Sequence, residues 1–206
     1  MDWSLMTTLE GLYAVGDTLP MSHTHSHAAV TGKYASRNAV QYASKISESK
    51  IDRAQVEREK ARLYGPIKRK DGMEWKELNA ALCRVMQNYC GEVKNEELLN
   101  IGLMWLDDIE QNVVPTSYAP NPHILGRTTE VLDILDCNRL ILESSKARKA
   151  CSTQMSFVRL DYPQVDPPEW HKWVTVKQQD DSVVIDSLPL DYWGDLESNY
   201  AKHSGL

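Results

Sequence analysis

Gly16-Asp17 closes a short apolar run, Leu12 to Val15, and a loop rich in Ser and His separates it from the first helical spacing. A strand that stops at a Gly-Asp step and hands over to a helix is a ligand-binding arrangement. The glycine lets the backbone come close to a ligand, and the carboxylate accepts from hydroxyls. Within the loop, His23, His25 and His27 alternate. On an extended segment that alternation puts the three imidazoles on one face. There they can line a pocket and donate to an anion or a carbonyl, or they can hold zinc or copper. No distant fourth ligand accompanies them, so no metal is expected; a plain loop is the third reading. Much later in the chain Arg159 stands two residues before Asp161. Arg159 can meet an anionic substrate, or it can pair with Asp161 at a seam between domains.

The elements that must carry these groups follow from periodicity. A strand is expected over 11–16 and a loop over 17–27. A helix follows from Ala28 to about Ile46, with Val30, Tyr34, Ala35, Asn38, Ala39, Tyr42 and Ala43 on adjoining faces. Residues 53–64 form a charged helix stopped by Gly65-Pro66. In the next helix, Met73 to Cys90, Trp75, Leu78, Leu82, Val85 and Tyr89 step by three and four. Gly91 ends it. Asn95 caps a helix that runs to about Val114, with Glu96 and Glu97 in its first turn. A long helix runs from about Gly126 to Lys149, with Val131, Leu132, Leu135 and Leu142 inward. After Cys151 the texture changes. Phe157 to Asp161 is extended, and Trp173 to Lys177 and Val183 to Leu188 alternate around a polar turn at 178–182. The tail from Asp191 forms a short helix or wraps onto a partner.

The reading is mainly α: a terminal strand–helix of an α/β domain, an antiparallel helical bundle, and a small C-terminal β-hairpin. The expected divisions are 1–50, 51–155 and 156–206. A lone strand is not a sheet, so the one at 11–16 needs neighbours from a missing portion or a partner chain.

Composition excludes several classes. The chain of 206 residues is 42% hydrophobic and 25% charged, ordinary for a globular protein. A net charge of −6 argues against a nucleic-acid partner. No apolar run approaches the ~20 residues that span a membrane, and no secretory leader is visible. Cys83, Cys90, Cys137 and Cys151 form no CxxC pair and suit buried free thiols in a reducing cytoplasm.

Three blocks, in order, resemble the fumarate reductase/succinate dehydrogenase flavoproteins, and especially the adenylylsulfate reductase alpha subunit. The first is Gly11 to Asp17. The second is the loop and helix start from Ser22 to Ala35, with Gly32-Lys33 at the family's Gly-Arg or Gly-Lys step. The third is Arg159-Leu-Asp-Tyr-Pro, continuing to Trp170. With the bundle between them they cover nearly the whole chain. The resemblance implies an FAD-dependent oxidoreductase of which this is a C-terminal part. By it, Gly16 and Asp17 touch FAD, Ser22, His23 and His27 line the cofactor, and His25 and Arg159 serve catalysis. Its implied partners are an N-terminal flavoprotein half or subunit, an iron–sulfur (ferredoxin-like) subunit and a small-molecule substrate.

Departures are visible too. The family's Arg-Lys-Glu-Ser-Arg-Gly stretch reads Ala150-Cys-Ser-Thr-Gln-Met here, so Ser152 and Gln154 replace a Glu and an Arg. The Asn-Arg-Leu-Gly-Gly run of fumarate reductases is not at 27–31, which argues against succinate or fumarate as substrate. No two glycines are spaced GxG, so the dinucleotide fingerprint is absent. The chain alone is therefore expected to be inactive. The alternative is a non-catalytic accessory or docking module of a flavoprotein complex.

Overall fold

Thr24 decides where the first helix begins. Its hydroxyl accepts from the His27 N–H at 3.2 Å, and α1 runs His25–Ala43, three residues earlier than apolar spacing alone suggests. The computed structural model describes residues 1–19, 24–47, 50–179, 182–191 and 194–204. The chain divides into two units, Met1–Arg53 and Ala54–Leu206.

In the first unit the N-terminal segment is held to α1 by polar side chains spaced along one helix face. The Tyr34 hydroxyl donates to Trp3 O at 2.9 Å, and the Asn38 amide donates to Ser4 O at 3.1 Å. A hydrogen bond with Glu10 raises the Tyr42 phenol above its usual range. The expected strand over 11–16 is reduced to one antiparallel bridge, Met6 to Tyr13. The reason is the one anticipated: a strand needs neighbours, and among the described residues no second ladder forms. Leu12 is accordingly 53% exposed, and Val15 is exposed as well.

The second unit is a helical bundle with a hairpin. Helix α2 spans Arg53–Tyr64 at the boundary, α3 Trp75–Tyr89, α4 Glu96–Asp108 and α5 Pro122–Ala147. Asparagines open two of them: Asn95 Oδ1 accepts from Leu98 N, and Asn121 Oδ1 accepts from Ile124 N. Pro122, just inside α5, starts it earlier than the expected Gly126. After Asp108, α4 widens into a π turn, Ile109–Val113, before Pro115 ends the run. Leu78, Leu82, Val85, Leu99, Leu103, Leu106, Val131, Leu135 and Leu142 form the core between α3, α4 and α5. Gly102 lets these helices close up. A Cβ there would sit 3.0 Å from Tyr89 Cβ and 3.1 Å from a Leu142 methyl.

Two small sheets flank the bundle. β1 (Val93–Lys94) and β2 (Val158–Arg159) pair in parallel, and β3 (Lys172–Gln179) and β4 (Ser182–Pro189) pair antiparallel. The expected hairpin is present; its central turn residues, 180 and 181, lie outside the described residues. The tail forms α6, Leu196–His203, capped by Asp195. No helix among the described residues is long and apolar enough to cross a membrane.

Candidate functional site

The candidate residues fall in both units. In the first, Gly16 turns the chain at φ +61° into a short 3-10 turn, Gly16–Thr18, and is buried there. Left-handed φ favours glycine because a Cβ would crowd the following carbonyl. The close approach it permits is to α1, since a Cβ would lie 3.4 Å from Ala28 Cβ. The Gly16 N–H donates to Thr31 Oγ1 at 3.0 Å, and the Thr31 hydroxyl donates to His27 O at 2.7 Å. The glycine turn is thereby tied to the first turn of α1. Asp17 sits on the exposed side of that turn.

His25 and His27 do not share a face. His25 and His27 lie in the first turn of α1, where a two-residue step rotates a side chain by about 200°. The alternation that aligns imidazoles on an extended segment separates them on a helix, and Thr24 is what makes the segment helical. His25 is exposed. His27 is partly buried, and its Nε2 has no hydrogen-bond partner among the described residues. Ser22 and His23 lie outside the described residues. Among those described, no three His, Cys, Asp or Glu side chains assemble for a metal.

In the second unit Arg159 is fully buried, at 0% exposure. Of the two partners open to it in the sequence, Asp161 is the one it meets. Nε donates to Asp161 Oδ1 at 2.8 Å and Nη2 to Oδ2 at 2.7 Å, a two-pronged pair. Nη1 donates to the carbonyls of Ser145, Lys146 and Arg148 at 2.7, 3.2 and 2.8 Å. These are acceptors at the C-terminal end of α5, which α-helical bonding leaves over. Asp161 Oδ2 also accepts from Glu96 N at 2.9 Å, at the N-terminus of α4. One ion pair thus clamps the end of one helix to the start of another. The Arg159 bond holds the Asp161 carboxyl down to about 2.

Sequence reasoning missed two cations here. Lys94 is only 4% exposed; its ammonium donates to Glu92 O at 2.9 Å and lies 4.2 Å from the centre of the Phe157 ring. Burial lowers its pKa. Arg148 lies beneath Trp170 and pairs with Asp166. A lysine in a two-residue strand and an arginine at a helix end, bonded to Cys151 O, Asp166 and Trp170 O, carry no periodic signal. The available hint was the crowding of cations and aromatics between residues 146 and 173.

Comparison with known proteins gives a consistent result. Residues 79–194 match the family described as fumarate reductase flavoprotein C-term. The fumarate reductase flavoprotein subunit of Haemophilus influenzae is 24% identical over 192 residues, covering 84% of this chain and 31% of that protein. An adenosine-5-phosphosulfate reductase in complex with sulfite superposes with a TM-score of 0.81 at 23% identity, over 90% of this chain and 32% of the other. An E. coli quinol fumarate reductase superposes with a TM-score of 0.72 at 17% identity, over 91% of this chain and 35% of the other. At these identities the superpositions speak for the fold alone. The chain spans about a third of the length of the relatives it matches.

Proposed function

The chain belongs to the fumarate reductase flavoprotein C-terminal family, and from that membership we propose that it is the C-terminal portion of an FAD-dependent oxidoreductase subunit. It completes the flavin site from its first unit and supplies the helical domain from its second. The observation that carries this reading is the Gly16 turn. It presents Asp17 beside the first turn of α1, where His27 Nε2 is buried without a partner among the described residues. An imidazole nitrogen without a partner among the described residues, on the helix turn to which the Gly16-Asp17 turn is tied, fits a ligand that offers both carbonyl oxygens and hydroxyls, as FAD does. The flavin, when bound, supplies redox chemistry by hydride or electron-pair transfer.

The residues then divide as follows. Gly16 and Asp17 lie along the cofactor's hydroxyl-bearing chain, with Asp17 accepting. His27 donates to a carbonyl, the resemblance adds Ser22 and His23 to the cofactor contacts, and exposed His25 faces the substrate. Arg159 acts as a positioning residue, because its three nitrogens are committed to the α5 carbonyls and Asp161. Its contribution to catalysis is to hold the helical domain in shape. The ADP-binding half comes from an N-terminal flavoprotein half or subunit, and an iron–sulfur subunit and a small-molecule substrate complete the system. Cys83, Cys90, Cys137 and Cys151 are free thiols, which suits the cytoplasm, although only Cys151 is buried as expected; Cys90 is half-buried and Cys83 and Cys137 are exposed.

The test is flavin content. Asp17→Ala and His27→Ala should each lower the flavin retained by the protein purified from its native source. Lys60→Ala, an exposed change in α2, should not. Undiminished flavin in both site variants would overturn the assignment.

A further inference from the structure

We propose that a cleft within the second unit, distinct from the flavin-side residues, binds a small organic anion with a flat apolar body. The cleft holds about 690 Å³, ample for a small organic molecule. It opens where the end of α5, the 148–157 segment, the loop before β3 and the start of β3 meet.

Its cationic wall is preorganised. Trp170 is flanked by two cations: Lys172 Nζ lies 4.4 Å from the ring centre and the Arg148 guanidinium 5.8 Å. His171 adjoins them and reaches Asp166 O through Nε2 at 3.1 Å. In a chain of net charge −6 this is a local reversal of sign. Asp166 is the one carboxylate in the lining, and it is already committed: it pairs with Arg148 at 3.2 Å and accepts from Thr153 N. Lys172 forms no ion pair among the described residues; Asp186 joins it only in a smaller hollow alongside. The cleft therefore keeps a positive surplus.

Arg148 is the under-satisfied member. Its side chain is 11% exposed, yet its bonds to Trp170 O and Cys151 O are both 3.4 Å and its Asp166 bond is 3.2 Å. Charge-assisted bonds normally close to about 2.8 Å. Its Nε is buried and meets no acceptor among the described residues. A buried guanidinium with long bonds and an idle donor is one an incoming anion would improve. Trp173, Met155 and Leu190, all exposed, line the same cleft, and so does Ser152. Indole faces and a thioether suit a planar apolar body. Surplus positive charge and flat apolar surface in one cleft select an aromatic carboxylate or its like over an inorganic ion.

The test uses the intact protein, calorimetry, and the indole N–H resonances of Trp170 and Trp173. The probe is 2-naphthoate, with neutral 2-naphthamide, acetate and a short aspartate-rich peptide alongside. Saturable 2-naphthoate binding is expected, with both indoles shifting and 2-naphthamide and acetate at least about tenfold weaker. Lys172→Gln should weaken naphthoate about fivefold or more while leaving the melting temperature unchanged. Arg148→Lys, which keeps the charge but loses the fork, should also weaken it. Equal binding of the amide, tighter binding of the peptide, no binding of naphthoate, or indifference to Lys172→Gln with a folded protein would each overturn the proposal. Flavin content should not respond to Lys172→Gln, so failure here and failure of the flavin reading are separately visible.

Discussion

The two units are held together by different physics. The first relies on hydrogen bonds from Tyr34 and Asn38 to backbone carbonyls, with little more than Ala35 and Leu19 buried among its apolar residues. The second has a continuous leucine and valine core and, at its edge, a buried arginine paired with an outer aspartate, joining two helix ends. Hydrophobic burial is the dominant source of stability, so the second unit can stand on its own core and the first is poorly provided. A segment whose extended run is paired through a single bridge among the described residues, and which exposes Leu9, Leu12 and Val15, is suited to being finished by other protein. Its local geometry, the left-handed Gly16 and the His27 nitrogen without a partner among the described residues, serves a ligand better than it serves a core.

The largest effect that would sharpen this contrast is expected from Arg159→Met. Removing the arginine leaves Asp161 and three carbonyls short of donors, and an unmet buried acceptor costs about 1–3 kcal/mol, so together the loss should exceed about 3 kcal/mol. Urea unfolding followed by circular dichroism should show the loss of α-helical signal at much lower denaturant. Leu99→Ala, at a fully buried core position, should cost about 2–5 kcal/mol by the same measurement.

Acid should separate the units as well. The Asp161 carboxyl is held below its ordinary value, so its contribution is present above about pH 4. It is lost as pH falls from there toward about 2. The second unit should weaken over that window by at most about 2 kcal/mol, and Asp161→Asn should flatten the dependence. An unchanged acid profile in the asparagine variant would remove Asp161 from the account.

In the first unit the effects should be small. Gly16→Ala forces a left-handed alanine and should cost about 1 kcal/mol, read as faster amide exchange confined to α1 and the turn. Leu12→Ala should change unfolding by less than about 0.5 kcal/mol, because its side chain is already exposed. A loss comparable to Leu99→Ala would show that the first unit has a core of its own.

Much of the second unit was readable from sequence because its signals are local and repeated. Leu78, Leu82 and Val85 announce the buried face of α3, Asn95 announces the start of α4, and Val174 and Val176 with Val183 and Ile185 announce the hairpin. The parallel pairing of Val93–Lys94 with Val158–Arg159 was not readable. Two-residue strands separated by some sixty residues have no periodicity, and their register comes from the Arg159 clamp. In the first unit the residue types of the candidate site were legible, but their arrangement was not. Thr24 carried the cap signal, yet apolar spacing placed the helix start at Ala28, so His25 and His27 were read as neighbours on one face.

The most direct test is the visible absorption spectrum of the protein purified gently from its native source, with the accompanying chains identified by mass. Oxidised-flavin bands, together with polypeptide supplying the dinucleotide-binding half, are expected if the Gly16 turn and His27 complete an FAD site. A folded, colourless protein with no such polypeptide would contradict that assignment and leave the helical unit as a docking module.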